Sequence, residues 1–407
     1  MTSPHQPTLE GGRPGLVPHP PPFQTQPGCV PRDKWCLVDD PPSPVKLGIL
    51  YHQFLRRGGL EGYLLKFCGE LAAAGHSLHL AGVHCDDNFR HLASSVQLFP
   101  AALTKNGTLR RFAAQSAAFV PSWDVDVVLG FGRTFKQHVH RAGGGCHARF
   151  SSDLPWWKRW RPKNQTELAL ERQLYTSGET QRFVVNASKV AAELHSFYKV
   201  PQTSIRVIHT AVDTAFWLPP DNRAAARAAL NLPSSGPLLL FVSLDHRRKG
   251  LPVLLKALAL LARKDVTLAV AGKPLAPYRR AIAAAGLSHR IIEAGNVTDL
   301  RPWYAAADLF VHPSHYDACA NTVLQSMASA LPGIISADDG ASEFISHARN
   351  GWRLDNSHSP SDLANLIESA LASDLPAIGH AARSAMLPLT WQAHLHSWLQ
   401  WIPTSRL

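Results

Sequence analysis

The residues with the clearest capacity for chemistry surround a carboxylate that follows an apolar run. Leu309–Val311 predicts a buried strand, Pro313 ends it, and the apolar spacing from Ala320 to Ala330 predicts a helix with one apolar face. Asp317 lies in the turn between them. In an open α/β sheet the ligand crevice lies outside the carboxyl ends of the strands, and a helix N-terminus there attracts anions. The turn therefore predicts a diphosphate site, with a simple helix N-cap as the alternative role of Asp317.

A second candidate site is a cationic run. Arg247, Arg248 and Lys249 lie between the predicted strand Leu238–Ser243 and the predicted helix Leu251–Arg263. Cations are unfavourable at a helix N-terminus unless an anion is present, so the run favours anion binding over a solvated charged turn. Both candidate sites follow a strand and open a helix. The sequence therefore predicts an α/β fold in which strand ends position the chemistry.

Length and composition indicate two domains with a preceding extension. The 407 residues exceed the roughly 250–300 residues at which single cores stop growing. Residues 1–44 contain proline at twelve positions and few aliphatic side chains, which predicts disorder. The six cysteines form no Cys-x-x-Cys pair, so neither zinc nor a disulfide framework is expected. No apolar run approaches the roughly 20 residues that span a bilayer, and we expect a cytoplasmic protein.

The net charge of +11 is concentrated in the first half. Residues 45–210 hold 21 Lys and Arg against 11 Asp and Glu, whereas residues 211–390 hold 16 against 15. Such an imbalance predicts an anionic partner, namely nucleic acid, a membrane surface or a phosphorylated acceptor, with a solvated basic face as the alternative. No nucleic-acid-binding motif appears there, so nucleic acid is not an expected partner.

Three tryptophans alternate with cations in the segment Pro155–Lys163. Amphipathic aromatic side chains beside Lys and Arg are typical of a membrane interface, and they also suit the rim of a sugar-phosphate site. The alternative is a loop whose tryptophans pack inward. The sequence leaves these interpretations open.

The two candidate sites together resemble the retaining glycosyltransferases of family 4. The signature of that family, an acidic residue and a Glu separated by seven residues, corresponds to Asp317 and Gln325. Its Lys-Gly pair before a helix corresponds to Lys249 and the glycine after it, while Leu244 stands at the usual Arg position. The resemblance covers about residues 45–403 and implies the GT-B fold, in which two Rossmann-like domains face each other across a cleft.

The resemblance also implies roles for these residues. Lys249 and Arg248 would stabilise the departing diphosphate, Asp317 would orient the donor sugar, and Gln325 would bind the ribose through its amide oxygen. A solvated helical position is the alternative for Gln325. Further donor contacts are implied for residues around the same cleft, namely Gly58, Gly59, Gly272, Val297, Ala320, Asn321 and Thr322.

Two segments of the first half are similar to the lipopolysaccharide-core branch of this family. Gly130–Thr134 corresponds to a Gly-Phe-x-Arg-Thr segment, and Gly144–His147 corresponds to a Gly-Gly-x-His segment. The similarity implies acceptor-side positions for Arg133, Gly144 and Glu61. It also implies a catalytic position for His147 near the donor sugar, with a structural histidine as the alternative.

The resemblance predicts an acceptor domain at 45–220, a donor domain at 221–388 and a terminal helix at 389–407 that packs back on the first domain. The predicted function is transfer of a hexose, with retention, from a UDP-linked or other nucleotide diphosphate sugar to a saccharide or glycolipid, lipopolysaccharide core included. No metal or other cofactor is expected. A contact with the inner face of an anionic membrane is a further expectation. The alternatives are a non-catalytic nucleotide-sugar-binding subunit and a sugar-nucleotide epimerase.

Overall fold

The computed structural model describes residues 44–55 and 58–403. All of the predicted disordered extension except Pro44 lies outside the described residues.

The first half of the described chain forms a parallel sheet flanked by helices. Its helices are α1 Gly59–Ala73, α2 Asp87–Arg90, α3 Lys105–Phe119, α4 His147–Ser152, α5 Trp156–Arg159, α6 Pro162–Thr176 and α7 Ser188–Tyr198. Its strands are β1 Lys46–Leu50, β2 Gln53–Phe54, β3 Ser77–Gly82, β4 His84–Cys85, β5 Ser95–Leu98, β6 Val127–Gly130, β7 Gln137–Arg141, β8 Thr180–Val185 and β9 Ile205–Val207. Seven of them pair in the order β5-β3-β1-β6-β7-β8-β9, and β2 pairs with β4.

The second half forms a separate six-stranded parallel sheet. Its helices are α8 Arg223–Ala229, α9 Leu251–Leu260, α10 Arg279–Ala284, α11 Arg301–Ala306, α12 Asn321–Ala328, α13 Pro360–Leu371, α14 Leu375–Met386 and α15 Trp391–Leu399. Its strands are β10 Leu238–Ser243, β11 Thr267–Gly272, β12 Ile291–Gly295, β13 Leu309–His312, β14 Gly333–Ser336 and β15 Trp352–Leu354, in the order β12-β11-β10-β13-β14-β15.

The central strands are apolar on both faces. Every residue of β6, β13 and β14 is buried. This pattern is expected of parallel strands that helices cover on both sides. The fold is therefore α/β with two parallel-sheet domains, as the sequence predicts.

A glycine fixes the start of α9. Gly250 has a φ of +85°, and a Cβ at this position would overlap the carbonyl oxygen of Pro313. Only glycine adopts this conformation without steric cost. The close approach holds the cationic run against the end of β13, next to the turn that contains Asp317.

The last helix returns to the first sheet. In α15, His394 Nε2 lies 2.7 Å from the hydroxyl of Tyr63 in α1. The fully buried Trp398 packs on Phe67 and stacks on Phe131, at ring distances of 5.1 and 6.0 Å. This aromatic cluster attaches the end of the chain to its first half.

Two observed element ends differ from the predicted ones. The strand predicted at Leu309–Val311 extends to His312, which carries this histidine to the edge of the sheet. The helix predicted to end at Arg263 ends at Leu260, because the backbone of Leu261 is extended and its side chain is buried.

Candidate active site

The structure brings the two candidate anion-site segments together. β10 and β13 are neighbours in the second sheet, so the segments that follow them meet at one edge. Lys249 Nζ forms an ion pair with the Asp317 carboxylate, and Arg248 Nη1 lies 3.3 Å from Asp317 Oδ2. Arg248 Nη1 also donates to the carbonyl oxygen of Tyr316, at 2.9 Å. Two cations therefore converge on the predicted sugar-binding carboxylate.

Two buried residues complete this cluster. His312 Nε2 lies 3.2 Å from Lys249 Nζ and 3.2 Å from Asp339 Oδ2. Both His312 and Asp339 are 0% exposed. Asp339 also accepts hydrogen bonds from the backbone N–H groups of Ala320 and Ala341, at 3.1 and 2.8 Å. It thereby fixes the turn before α12, a role that the sequence analysis did not identify.

The pKa values in the cluster follow from burial and from the neighbouring charges. Burial lowers the pKa of Lys249 to about 7, although the Asp339 carboxylate opposes the shift. Burial and the charge of Lys249 lower the pKa of His312 to about 4, so this ring is neutral at pH 7. Burial would raise the pKa of Asp339, but His312 and Lys249 lower it to about 2. Asp339 is therefore a permanent negative charge behind Lys249.

The same cluster contains a set of metal-type ligand atoms. One atom each of His312, Asp317 and Asp339 lies within 4.8 Å of the others. The Lys249 ammonium contacts two members of this set, His312 and Asp317.

The helix N-cap interpretation of Asp317 is wrong. The N-cap of α12 is Ala320, without a side-chain capping hydrogen bond, and the Asp317 carboxylate binds Lys249 and Arg248 instead. Gln325 is half-buried on α12, and its Oε1 lies 3.3 Å from the Tyr304 hydroxyl, which donates to it. Gln325 is therefore held in place on one side.

The other predicted donor-binding residues lie around the same edge. Gly272 is the last residue of β11, which pairs with β10. Val297 follows β12, which pairs with β11. Asn321 Nδ2 donates to the carbonyl oxygen of Gly59 at 3.2 Å, so the glycine turn at Gly58 and Gly59 contacts the start of α12 across the cleft. The first turn of α12 also contains the remaining predicted contacts, Ala320 and Thr322.

The predicted acceptor-side residues are held by partners within the first half. Arg133 forms an ion pair with Glu167 at 2.6 Å and lies 3.9 Å from Glu171. Glu61 accepts a hydrogen bond from Tyr51 at 2.7 Å. Gly144 lines a cavity beside Arg133. Arg133 is thus already paired with carboxylates.

His147 lies at the start of α4 on the acceptor side. Its backbone N–H donates to Glu171 at 2.8 Å, and its ring lies beside Phe150 at 5.6 Å. Burial lowers the pKa of His147 to about 4, and its buried Nε2 has no hydrogen-bond partner in the described part of the chain. The ring is therefore neutral at pH 7 and retains one unused polar atom.

Tyr316 joins the acceptor-side loop to the donor turn. Its hydroxyl accepts a hydrogen bond from the backbone N–H of Cys146 at 2.7 Å and donates one to Glu193 at 2.8 Å. Lys189 Nζ lies 4.9 Å from the centre of the Tyr316 ring. The residue before Asp317 therefore fixes the loop before His147. No sequence pattern identifies this contact, because it depends on the approach of two sheets.

The tryptophans of Pro155–Lys163 face solvent. Trp156, Trp157 and Trp160 are 72%, 55% and 72% exposed. The inward-packing interpretation is therefore wrong. Among the described residues, none of the helices has the length and apolar character needed to cross a bilayer.

Comparison with known families and structures gives concordant matches for both halves. The profile described as "Glycosyltransferase Family 4" matches residues 57–216, and that described as "Glycosyl transferases group 1" matches residues 236–373.

Among individual relatives, the D-inositol 3-phosphate glycosyltransferase of Mycolicibacterium gilvum is 31% identical over 52% of this chain and 49% of its own. The chain covers about half the length of these inositol phosphate glycosyltransferases. The lipopolysaccharide glucosyltransferase WaaG of Escherichia coli is 22% identical over 79% of this chain and 88% of its own.

Solved structures show the same fold. A crystal structure of WaaG superposes with a TM-score of 0.73 at 20% identity, over 86% of this chain and 98% of WaaG. Anabaena HepE in complex with UDP-glucose superposes with a TM-score of 0.68 at 16% identity, over 88% of this chain and 98% of HepE.

Proposed function

Because the chain belongs to glycosyltransferase family 4 and has the GT-B fold, we propose that it transfers a hexose, with retention, from a nucleotide diphosphate sugar to a saccharide or glycolipid. The observation that carries the proposal is the convergence of Lys249 and Arg248 on Asp317 at the carboxyl ends of β10 and β13. Such an edge is the usual ligand crevice of an open α/β sheet.

The proposed mechanism is positional and electrostatic. An entering diphosphate competes with Asp317 for Lys249 and Arg248, and this competition frees the Asp317 carboxylate for the sugar hydroxyls. The anion also raises the pKa of Lys249 and keeps it charged when the leaving group departs. Fixed charges aimed at a departing diphosphate require no reorganisation during the reaction. This mechanism uses no metal ion.

Uridine is the base that we propose, since the structural relative HepE is known in complex with UDP-glucose. The proposal is tested by thermal unfolding with UDP, GDP and ADP in turn. A nucleotide at about 100 times its dissociation constant should stabilise the protein by about 2.7 kcal/mol. A shift with UDP that exceeds the shifts with GDP and ADP supports the donor site. No shift with any of the three would remove the basis of the proposal.

Gln325→Glu is expected to tighten UDP binding about fivefold. A carboxylate accepts a ribose hydroxyl more strongly than an amide does, by about 1 kcal/mol. The Tyr304 hydroxyl at 3.3 Å can donate to either side chain. Isothermal titration with UDP measures the change, and Gln325→Ala should instead weaken binding. Equal affinities for all three proteins would show that position 325 does not contact the ribose.

For the acceptor we propose a glycolipid that is reached from an anionic membrane surface, with lipopolysaccharide core as one candidate. The relative WaaG is a lipopolysaccharide glucosyltransferase. The exposed tryptophans alternate with Lys158, Arg159, Arg161 and Lys163, and the first half carries most of the net charge. Indole rings beside cations suit the headgroup region of a bilayer. This contact would place a cytoplasmic protein at the inner face of the membrane.

Replacing Trp156, Trp157 and Trp160 together with serine is expected to reduce binding to vesicles at least tenfold. The vesicles contain phosphatidylglycerol and phosphatidylcholine, and sedimentation measures the bound fraction. Removing three interfacial indoles costs several kcal/mol of membrane-binding free energy. The remaining cations still attract the anionic vesicles and retain part of the binding. Equal binding by the triple variant and the original chain would contradict the membrane contact. A variant with the exposed Leu103, Leu218 and Leu387 replaced by serine, all outside this segment, is the matched control.

A further inference from the structure

A cavity of about 180 Å³ lies at the carboxyl ends of β1, β6 and β7 in the first half. Tyr51 and Phe131 follow β1 and β6 and line it, together with Gly144 and Gly145 after β7. Gly145 lies against the hydroxyl of Tyr316, which immediately precedes Asp317. One wall of the cavity, at Gly145, therefore contacts the residue before the proposed sugar-orienting carboxylate. A role for this cavity in sugar transfer rests on the proposed function.

The formal charges that line the cavity balance. Arg133 and Arg141 are the cations, and Glu167 and Glu171 are the carboxylates. Arg133 lies 2.6 Å from Glu167 and 3.9 Å from Glu171. An anionic ligand would have to break this half-buried ion pair or remain uncompensated, and both cost free energy where solvent access is reduced.

No carboxylate of the described residues forms an ion pair with Arg141. Its guanidinium lies 3.8 Å from the centre of the Tyr63 ring, and its Nη2 donates to the Thr210 hydroxyl at 3.1 Å. Within residues 44–55 and 58–403, the buried Nε atoms of Arg133 and Arg141 have no hydrogen-bond partner. A buried donor without an acceptor costs about 1–3 kcal/mol. The formal charges of the two arginines and two glutamates of the lining sum to zero.

The histidines of the cavity add no charge at pH 7. His52 and His140 both line it, and burial lowers the pKa of each ring, that of His140 to about 3. A volume of about 180 Å³ also lies below the roughly 300–1,000 Å³ of sites for drug-sized ligands. The space therefore suits one sugar ring rather than an oligosaccharide.

We propose that this cavity binds the reacting sugar of the acceptor, and that this sugar is a single uncharged ring without phosphate or carboxylate. Its hydroxyls hydrogen-bond to polar side chains that line the cavity, the half-buried Arg133 and His52 among them. The basic charge of the first half then acts elsewhere, on the membrane surface or on a remote part of the acceptor.

The test compares neutral sugars with their phosphates. The full chain, saturated with UDP, is titrated with the methyl glycosides of glucose, galactose and mannose, and with the 6-phosphate of each. We expect at least one neutral glycoside to bind, and its 6-phosphate to bind at least tenfold more weakly. Tighter binding of a phosphate, or no binding of any neutral glycoside, would overturn the inference. A separate titration with UDP alone reports on the proposed function, so that the two can fail independently.

Glu167→Gln is expected to shift the specificity of the cavity from neutral glycosides toward their 6-phosphates. Without that carboxylate, Arg133 keeps only the more distant Glu171, and the cavity gains a net positive charge. The affinity for the 6-phosphate relative to the neutral glycoside should rise at least tenfold. Glu179→Gln, at an exposed position outside the cavity, is the matched control. An unchanged ratio in Glu167→Gln would show that sugars do not bind in this cavity.

Discussion

Lys249→Ala is expected to weaken UDP binding about 10- to 150-fold. A hydrogen bond to a charged group contributes about 1.5–3 kcal/mol, and the buried ammonium of Lys249 is aimed at the proposed diphosphate site. Its removal also leaves the Asp339 charge opposite the entering anion. Isothermal titration with UDP at pH 7 measures the loss.

The control for this experiment is Lys256→Ala, an exposed lysine on the same helix, α9. This variant should bind UDP as the original chain does. Thermal unfolding without ligand shows whether each variant is folded. If a folded Lys249→Ala protein bound UDP with unchanged affinity, the diphosphate would have to bind elsewhere.

Asp317→Asn is expected to reduce kcat/KM at least about 100-fold, a loss similar to that on removing one transition-state hydrogen-bond group. The side chain keeps its shape but loses the charge that pairs with Lys249 and Arg248. Because the two cations then have no competing carboxylate, UDP affinity should stay the same or increase. The variant thus separates sugar orientation from nucleotide binding.

Two measurements are needed for this variant, UDP titration and sugar transfer at saturating donor. A parallel loss of both would mean that Asp317 acts only as a structural counter-ion of the cations. Asp245→Asn, at an exposed carboxylate 3.4 Å from Arg248, is the matched control and should change kcat/KM by less than about threefold.

The sequence predicts the second sheet well because its strands are uninterrupted apolar runs. The predicted strand Leu238–Ser243 matches the structure at both ends, and the predicted strand Leu309–Val311 differs only by the addition of His312. The sites at Lys249 and Asp317 are also predictable, since each follows a strand and precedes a helix. The local hydrophobic pattern is sufficient to predict a site when one strand and the helix after it define the geometry of that site.

The remaining site residues depend on contacts between distant segments. His312 and Asp339 are fully buried and meet only because β13 and β14 are neighbours. Tyr316 reaches Cys146 across the cleft, and the partners of Arg133 lie on α6. The family resemblance predicts an acceptor-side position for Arg133, but the sequence does not show that carboxylates already pair with this cation. Side-chain contacts between distant segments leave no pattern in the local sequence.

The central claim is that the protein transfers a sugar at the site formed by Lys249, Arg248 and Asp317. The most direct test is release of nucleoside diphosphate from UDP-sugars, measured with and without a glycolipid acceptor extract, in the original chain and in Asp317→Asn. We predict acceptor-dependent release of UDP from at least one UDP-sugar, and its loss in the variant. UDP-sugar binding without release would indicate a non-catalytic binding subunit, and formation of a new sugar nucleotide without acceptor would indicate an epimerase. Either result would contradict the proposed transfer reaction.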